Sequence, residues 1–96
     1  MTELLSDESI DEALRTLPEW RRAGDAIERT TELASFPAAI DAVNRVAERA
    51  EAANHHPDID IRWRTVTFRL STHSHGGITD KDVAFAREVD EVISSV

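Results

Sequence analysis

Three of the four histidines stand where proton chemistry could be done. His55 and His56 are adjacent in Asn54-His55-His56-Pro57, and His73 closes Leu70-Ser71-Thr72-His73. Imidazole, with an ordinary pKa of about 6.5, can give and take a proton near neutrality. Glu51 lies four residues before His55, which on a helix sets a carboxylate beside the ring. Such a neighbour favours the protonated ring and can fix its tautomer. The pair also has a purely structural reading, because a histidinium in a last helical turn complements the helix dipole. His56 diverges from His55 by about 100° on a helix, but a chain turning at Pro57 can bring both rings to one cavity. His73 sits at a strand end beside a loop, where functional groups tend to be placed; a plain surface histidine is the other reading. His75 falls in the following loop and is given no role.

Other chemistries fit less well. Three imidazoles can hold a catalytic zinc, but the adjacent pair lacks the four-residue spacing by which a helix presents two ligands. There is no cysteine, so thiolate ligands, disulfides and a cysteine nucleophile drop out. No serine lies in a glycine-flanked elbow, and Gly76-Gly77 alone makes no phosphate cradle. Proton transfer is the chemistry these residues can supply, with a zinc protein the less favoured reading.

The elements that must position them follow from apolar periodicity. Ile10, Ala13, Leu14 and Leu17 form one helical face after Ser6. Ser6 and Ser9 are both candidate N-caps, the second with Glu12 in a capping box, and Pro18 ends the segment. Gly24-Asp25 predicts a hairpin, with Ile27, Arg29, Thr31 and Leu33 on one face of its second strand. Residues 35–54 predict the main helix: Ser35 caps it, Pro37 suits its first turn, and Phe36, Ile40, Val43, Ala47 and Ala50 form its buried stripe. Ile59, Ile61 and Trp63 alternate with Asp58, Asp60 and Arg62. Val66, Phe68, Leu70 and Thr72 alternate with Thr67, Arg69, Ser71 and His73 until Gly76-Gly77 breaks the strand. A last helix starts near Thr79, with Asp82 as its capping-box acid and Phe85, Val89, Val92 and Val96 inside. One-sided strands and amphipathic helices predict an α+β fold: a four-stranded antiparallel sheet with three helices packed on one face.

Composition bounds the setting. Ninety-six residues predict a single domain over 1–96 with a small core, so self-association is expected. The net charge of −8, from 19 acidic and 11 basic residues, opposes binding to nucleic acid. The acidic N-terminus lacks a signal-peptide stretch and no segment reaches membrane-spanning length, so a cytoplasmic protein with no membrane partner is expected.

One long-range pattern is more selective than its parts. Glu51, three residues, His55-His56-Pro57, five residues, Trp63, nine residues, His73, eight residues and Asp82 resembles the signature of the pterin-4a-carbinolamine dehydratases. Leu70-Ser71-Thr72-His73 and Glu19-Trp20 are similar to that family too, and the resemblance runs from about Trp20 to the C-terminus. It implies a lyase that dehydrates 4a-hydroxytetrahydropterin to quinonoid dihydropterin, recycling the cofactor of aromatic amino acid hydroxylases. It also implies no metal, no prosthetic group, and a homodimer or homotetramer.

By the same resemblance, His55 and His73 are acid–base groups at the substrate hydroxyl, and His56 binds the pterin ring and shares in the proton traffic. Glu51 orients and biases His55, while Ser71 and Thr72 border the ring, with Asn54 and Pro57 beside them. Asn54 stands where the family often has an acid. Asp82, Trp63 and Trp20 are expected to be structural. Some relatives stabilise the dimer of a homeodomain transcription factor or accompany a phenylalanine hydroxylase, so an interaction protein that stabilises a partner's oligomeric state is the alternative reading.

Overall fold

Local capping and turn chemistry place the elements. The computed structural model describes residues 3–96; residues 1 and 2 of the expected 1–96 domain lie outside the described residues. The elements are α1 (Asp7–Arg15), β1 (Arg21–Ala23), β2 (Ala26–Glu32), α2 (Phe36–Ala53), β3 (Asp58–Arg62), β4 (Thr65–Leu70) and α3 (Asp80–Ser95), with a 3-10 turn at His73–His75. Ser6 is the cap of α1, its Oγ accepting from the Ser9 N–H at 3.1 Å. Ser9 is therefore inside the helix, and the box expected between Ser9 and Glu12 does not cap it. Ser35 accepts from Ala38 N–H at 3.2 Å with Pro37 in the first turn of α2, and Thr79 with Asp82 forms the capping box of α3. Gly24, at φ 66°, makes the β1–β2 turn in a backbone region that favours glycine.

The sheet order is β1-β2-β4-β3, antiparallel throughout. Register puts Ile27 opposite Leu70, Arg29 opposite Phe68 and Thr31 opposite Val66, while Ile59 and Ile61 face Phe68 and Val66. These residues share the face covered by the helices, where Phe68, Leu70, Val66 and Ile27 are buried with Phe85, Val89 and Val92 of α3. Glu28, Thr30, Asp58, Asp60, Thr67 and Arg69 alternate onto the opposite, polar face. This is the expected α+β architecture.

Three expectations about packing are corrected. The buried residues of α2 are Ala39, Ala42, Val46 and Ala50. Of the expected stripe only Ala50 is buried; Phe36 is 48% exposed, Ala47 is exposed, and Ile40 and Val43 are half-buried. The helix carries two apolar stripes, and the one with small side chains packs inward, where α3 lies close alongside. Trp63 does not continue the apolar face of β3. It occupies the β3–β4 turn at φ 56°, 71% exposed, with the Arg64 guanidinium 4.8 Å from its ring centre. Val96, expected inside α3's stripe, is 41% exposed at the end of the helix.

Polar contacts complete the frame. Asp90 of α3 accepts from Arg29 Nη1 at 2.6 Å and from Trp20 Nε1 at 2.8 Å, which ties β2 and the segment before β1 to the last helix. On the open face Glu28 accepts from Arg21 at 2.6 Å and Arg69 at 3.3 Å. The Arg21 hydrogen bond holds the Glu28 carboxyl below its ordinary range against the opposing effect of burial, with Arg21's charge and Arg69 adding to it. The stability this confers is complete above the unfolded-state pKa and is lost as pH falls through the folded one. Glu28→Gln is therefore expected to flatten the acid side of the stability profile. Thermal unfolding from about pH 7 to about pH 3 checks this; an unchanged acid slope would show the pair contributes nothing.

Candidate active site

The site is built at the ends of α2 and β4. Asn54 follows α2 in the left-handed conformation, φ 50° and ψ 44°, and His55 N–H reaches back to Ala50 O at 3.0 Å. This is the Schellman way of closing a helix, and asparagine tolerates its αL position better than most side chains. His55 is consequently outside the helix, and the four-residue neighbour relation expected with Glu51 is lost.

The partners of the paired histidines are thereby exchanged. Glu51 Oε2 contacts His56 Nε2, on an exposed part of the surface. His55 turns inward, its side chain 11% exposed, and its Nε2 lies 2.6 Å from Asp82 Oδ1. Its ring also stands at 78° to Phe85, with centroids 6.2 Å apart. The expectation that Glu51 orients His55 is corrected: Asp82 does so.

Asp82 is fully buried and its carboxylate is surrounded by donors. Oδ2 accepts from Thr72 Oγ1 at 2.9 Å and from Thr79 N–H at 2.9 Å. The Thr72 and Thr79 hydroxyls are 2.7 Å apart; with Thr72 donating to Asp82, Thr79 donates to Thr72. An ionised carboxylate only accepts, so His55 Nε2 carries the proton directed at it, and Nδ1 is the ring nitrogen left for a ligand. Asp82 is thus a helix cap and a histidine brace at once. Its capping role was legible from spacing; its contact with His55, 27 residues away, was not.

Two residues beyond β4, the chain doubles back. Thr72 pairs with Gly77 as an isolated bridge, with N···O distances of 2.8 and 3.4 Å. Between them runs the 3-10 turn that Gly76 closes at φ 69°. His73 begins this turn rather than ending the strand, because β4 stops at Leu70, and its side chain is exposed.

One open hollow of about 430 Å³ is bordered by His55, His56 and His73, together with Asn54, Pro57, Ser71 and Thr72. Glu51 does not line it. Asp58, Ser74 and Lys81, which sequence reasoning passed over, complete the wall. A second hollow of about 260 Å³ shares Asp58, Ser71 and His73 with the first. Among the described residues, no three His, Asp or Glu side chains converge as metal ligands do, and no helix is long and apolar enough to cross a membrane.

A helix-backed antiparallel sheet with three imidazoles around one hollow at its edge defines a small α+β protein with the groups for acid–base work. The family model described as pterin 4 alpha carbinolamine dehydratase matches residues 3–92, and the chain belongs to that family. A Nocardia farcinica protein named "Putative pterin-4-alpha-carbinolamine dehydratase" is 66% identical over 91 residues, covering 95% of this chain and 96% of its own. A Mycobacterium tuberculosis protein of the same name is 55% identical over 92 residues, covering 96% and 98%. The crystal structure of a transcriptional coactivator/pterin dehydratase from Brucella melitensis superposes with a TM-score of 0.91 at 30% identity, covering 95% of this chain and 99% of that one.

The buried brace has a measurable consequence. Asp82→Asn keeps the shape but points an amide at groups that already donate. It is expected to cost about 1–3 kcal/mol in urea unfolding, whereas Glu51→Gln, on an exposed pair, should cost little or nothing. Equal losses from the two variants would remove the distinction.

Proposed function

We propose that this protein eliminates water from 4a-hydroxytetrahydropterins to give quinonoid dihydropterins by histidine acid–base catalysis. The observation that carries the reading is the meeting of His55, His56 and His73 at one hollow, whose volume falls in the range of about 300–1,000 Å³ usual for small-molecule sites. In the reaction a base takes the N5 proton, the C4a–N5 double bond forms, and the C4a hydroxyl leaves as water after an acid protonates it. Imidazoles serve both steps near neutrality.

His55 and His73 are assigned to the acid and base steps at the hydroxyl and N5. The Asp82 brace supports His55 in this role by fixing one tautomer and leaving Nδ1 for substrate. His73, exposed on its turn, can exchange protons with solvent. His56, paired with Glu51, holds the ring, and Asn54, Pro57, Ser71 and Thr72 border it. No cofactor is needed for this chemistry, and an aromatic amino acid hydroxylase is the class of enzyme that would supply the substrate. His55→Ala and His73→Ala are expected to slow dehydration by about 10²–10⁴-fold in stopped-flow traces, with circular dichroism unchanged. Full activity in both variants would defeat the assignment.

A homodimer or homotetramer belongs to the same reading. What supports it is the second stripe of α2, where Phe36, Ile40, Val43 and Ala47 are left uncovered or half-covered by the small core. Phe36→Glu combined with Ile40→Glu is expected to shift sedimentation velocity to a lighter species while activity assays and dichroism report a folded chain. A wild-type protein that sediments as a monomer would end this part of the proposal.

The alternative, an interaction protein that stabilises a partner's oligomeric state, would use the same face. The name of the Brucella melitensis relative joins coactivator to dehydratase. A wild-type chain that folds and associates but leaves 4a-hydroxypterin breakdown at its spontaneous rate would favour that alternative.

A further inference from the structure

The histidines account for proton movement but not for how a pterin is told from other bicyclic heterocycles. A pterin carries a distinctive edge: the N3–H and an N–H of the 2-amino group point the same way, side by side. A carboxylate matches such a pair with two parallel hydrogen bonds, as it does a guanidinium. We propose that Asp58 is the specificity-determining residue of this site, its carboxylate accepting both hydrogen bonds from that edge. The inference rests on the dehydratase reading above.

The acceptor inventory of the hollow points to Asp58. Among the described residues it is the only carboxylate that lines it. Lys81, the other wall residue with a permanent charge, can only donate. Ser71 Oγ donates to Asp25 O at 2.9 Å and Thr72 Oγ1 donates to Asp82 beside the Thr79 hydroxyl, so each has only a single hydroxyl oxygen to accept with, not the paired acceptors the edge requires. Asn54 offers a single amide carbonyl, half of what the edge requires.

Asp58 is also free to act. Arg69 stands directly across from it in the β3–β4 register, the natural partner on the open face. Yet Arg69 turns to Glu28 at 3.3 Å and Asp25 at 3.7 Å, and the Asp58 side chain has no hydrogen bond or ion pair among the described residues. Its position is held all the same. Asp58 is the first residue of β3, separated from His56 only by Pro57, whose ring restricts φ. Asp58 and His73 border both hollows, so the carboxylate and an imidazole share one stretch of wall.

The test uses two stable compounds that differ at position 2 alone: 6,7-dimethylpterin, with the amino donor, and 6,7-dimethyllumazine, with an oxygen in its place. Fluorescence titration of the wild-type protein should show preference for the pterin. Asp58→Asn should weaken pterin binding about 10- to 100-fold, leave lumazine binding level or improved, and raise KM for 4a-hydroxytetrahydropterin more than it lowers kcat. Asp60→Asn, two residues along the same strand and outside the hollow, should behave as wild type. If Asp58→Asn keeps wild-type affinity and preference while the wild-type protein dehydrates its substrate, the inference is overturned and the functional reading stands. If the wild-type protein neither binds the pterin nor dehydrates the substrate, both fall together.

Discussion

The carboxylate of Asp82 is the point on which the rest of the site depends. It sits where three elements end or begin: it caps α3, receives Thr72 from the chain leaving β4, and receives His55 from the chain leaving α2. A buried carboxylate is tolerated only when its oxygens are satisfied, and here two side chains and a backbone N–H satisfy them. Helix start, strand exit and helix exit are thereby required to coincide, and the histidine delivered to that junction has little freedom left. The position of His55 is a by-product of solving a desolvation problem.

The α2 terminus shows the same economy from the other side. A helix continued through His55 would have set both histidines on diverging faces of a cylinder. The left-handed turn at Asn54 instead sends His55 into the interior and leaves His56 outside beside Glu51. Adjacent residues thus acquire opposite environments. The 3-10 turn after β4, closed by Gly76, carries His73 to the same hollow from the far side of the chain.

Much of this was legible in the sequence because it is local. Strand alternation over residues 58–63 and 66–73, the Thr79–Asp82 box, the Ser35 cap and the Gly24 turn depend on neighbours a few residues apart; the cap, box and turn recur, and the two strands recur as 58–62 and 65–70. The histidine pattern likewise marked a junction of helix and strand. What stayed hidden is non-local. The inward stripe of α2 could not be read because two apolar stripes share one helix, and packing in the common core with the sheet and α3 turns Ala39, Ala42 and Val46 inward instead of Phe36 and Ile40. The exchange of Glu51 for Asp82 as the partner of His55 turns on a single left-handed residue. Helical periodicity gives no sign of it, although an asparagine three residues before Pro57 is the local hint that was available.

The two hidden features act together on what the molecule offers to its surroundings. Using small side chains for the interior of α2 moves its larger ones outward, leaving Phe36 uncovered and Ile40 and Val43 half-covered. The open face of the sheet goes the other way. Its arginines are consumed in pairing with Glu28, Asp25 and Asp60, so of the charges around the hollow only Asp58 and Lys81 are without a partner among the described residues. A chain with a net charge of −8 thus pairs most charges of its open sheet face and leaves one carboxylate and one ammonium, Asp58 and Lys81, at the hollow. Beside that pair stand one pinned and two exposed imidazoles, so fixed charges and rings share one wall.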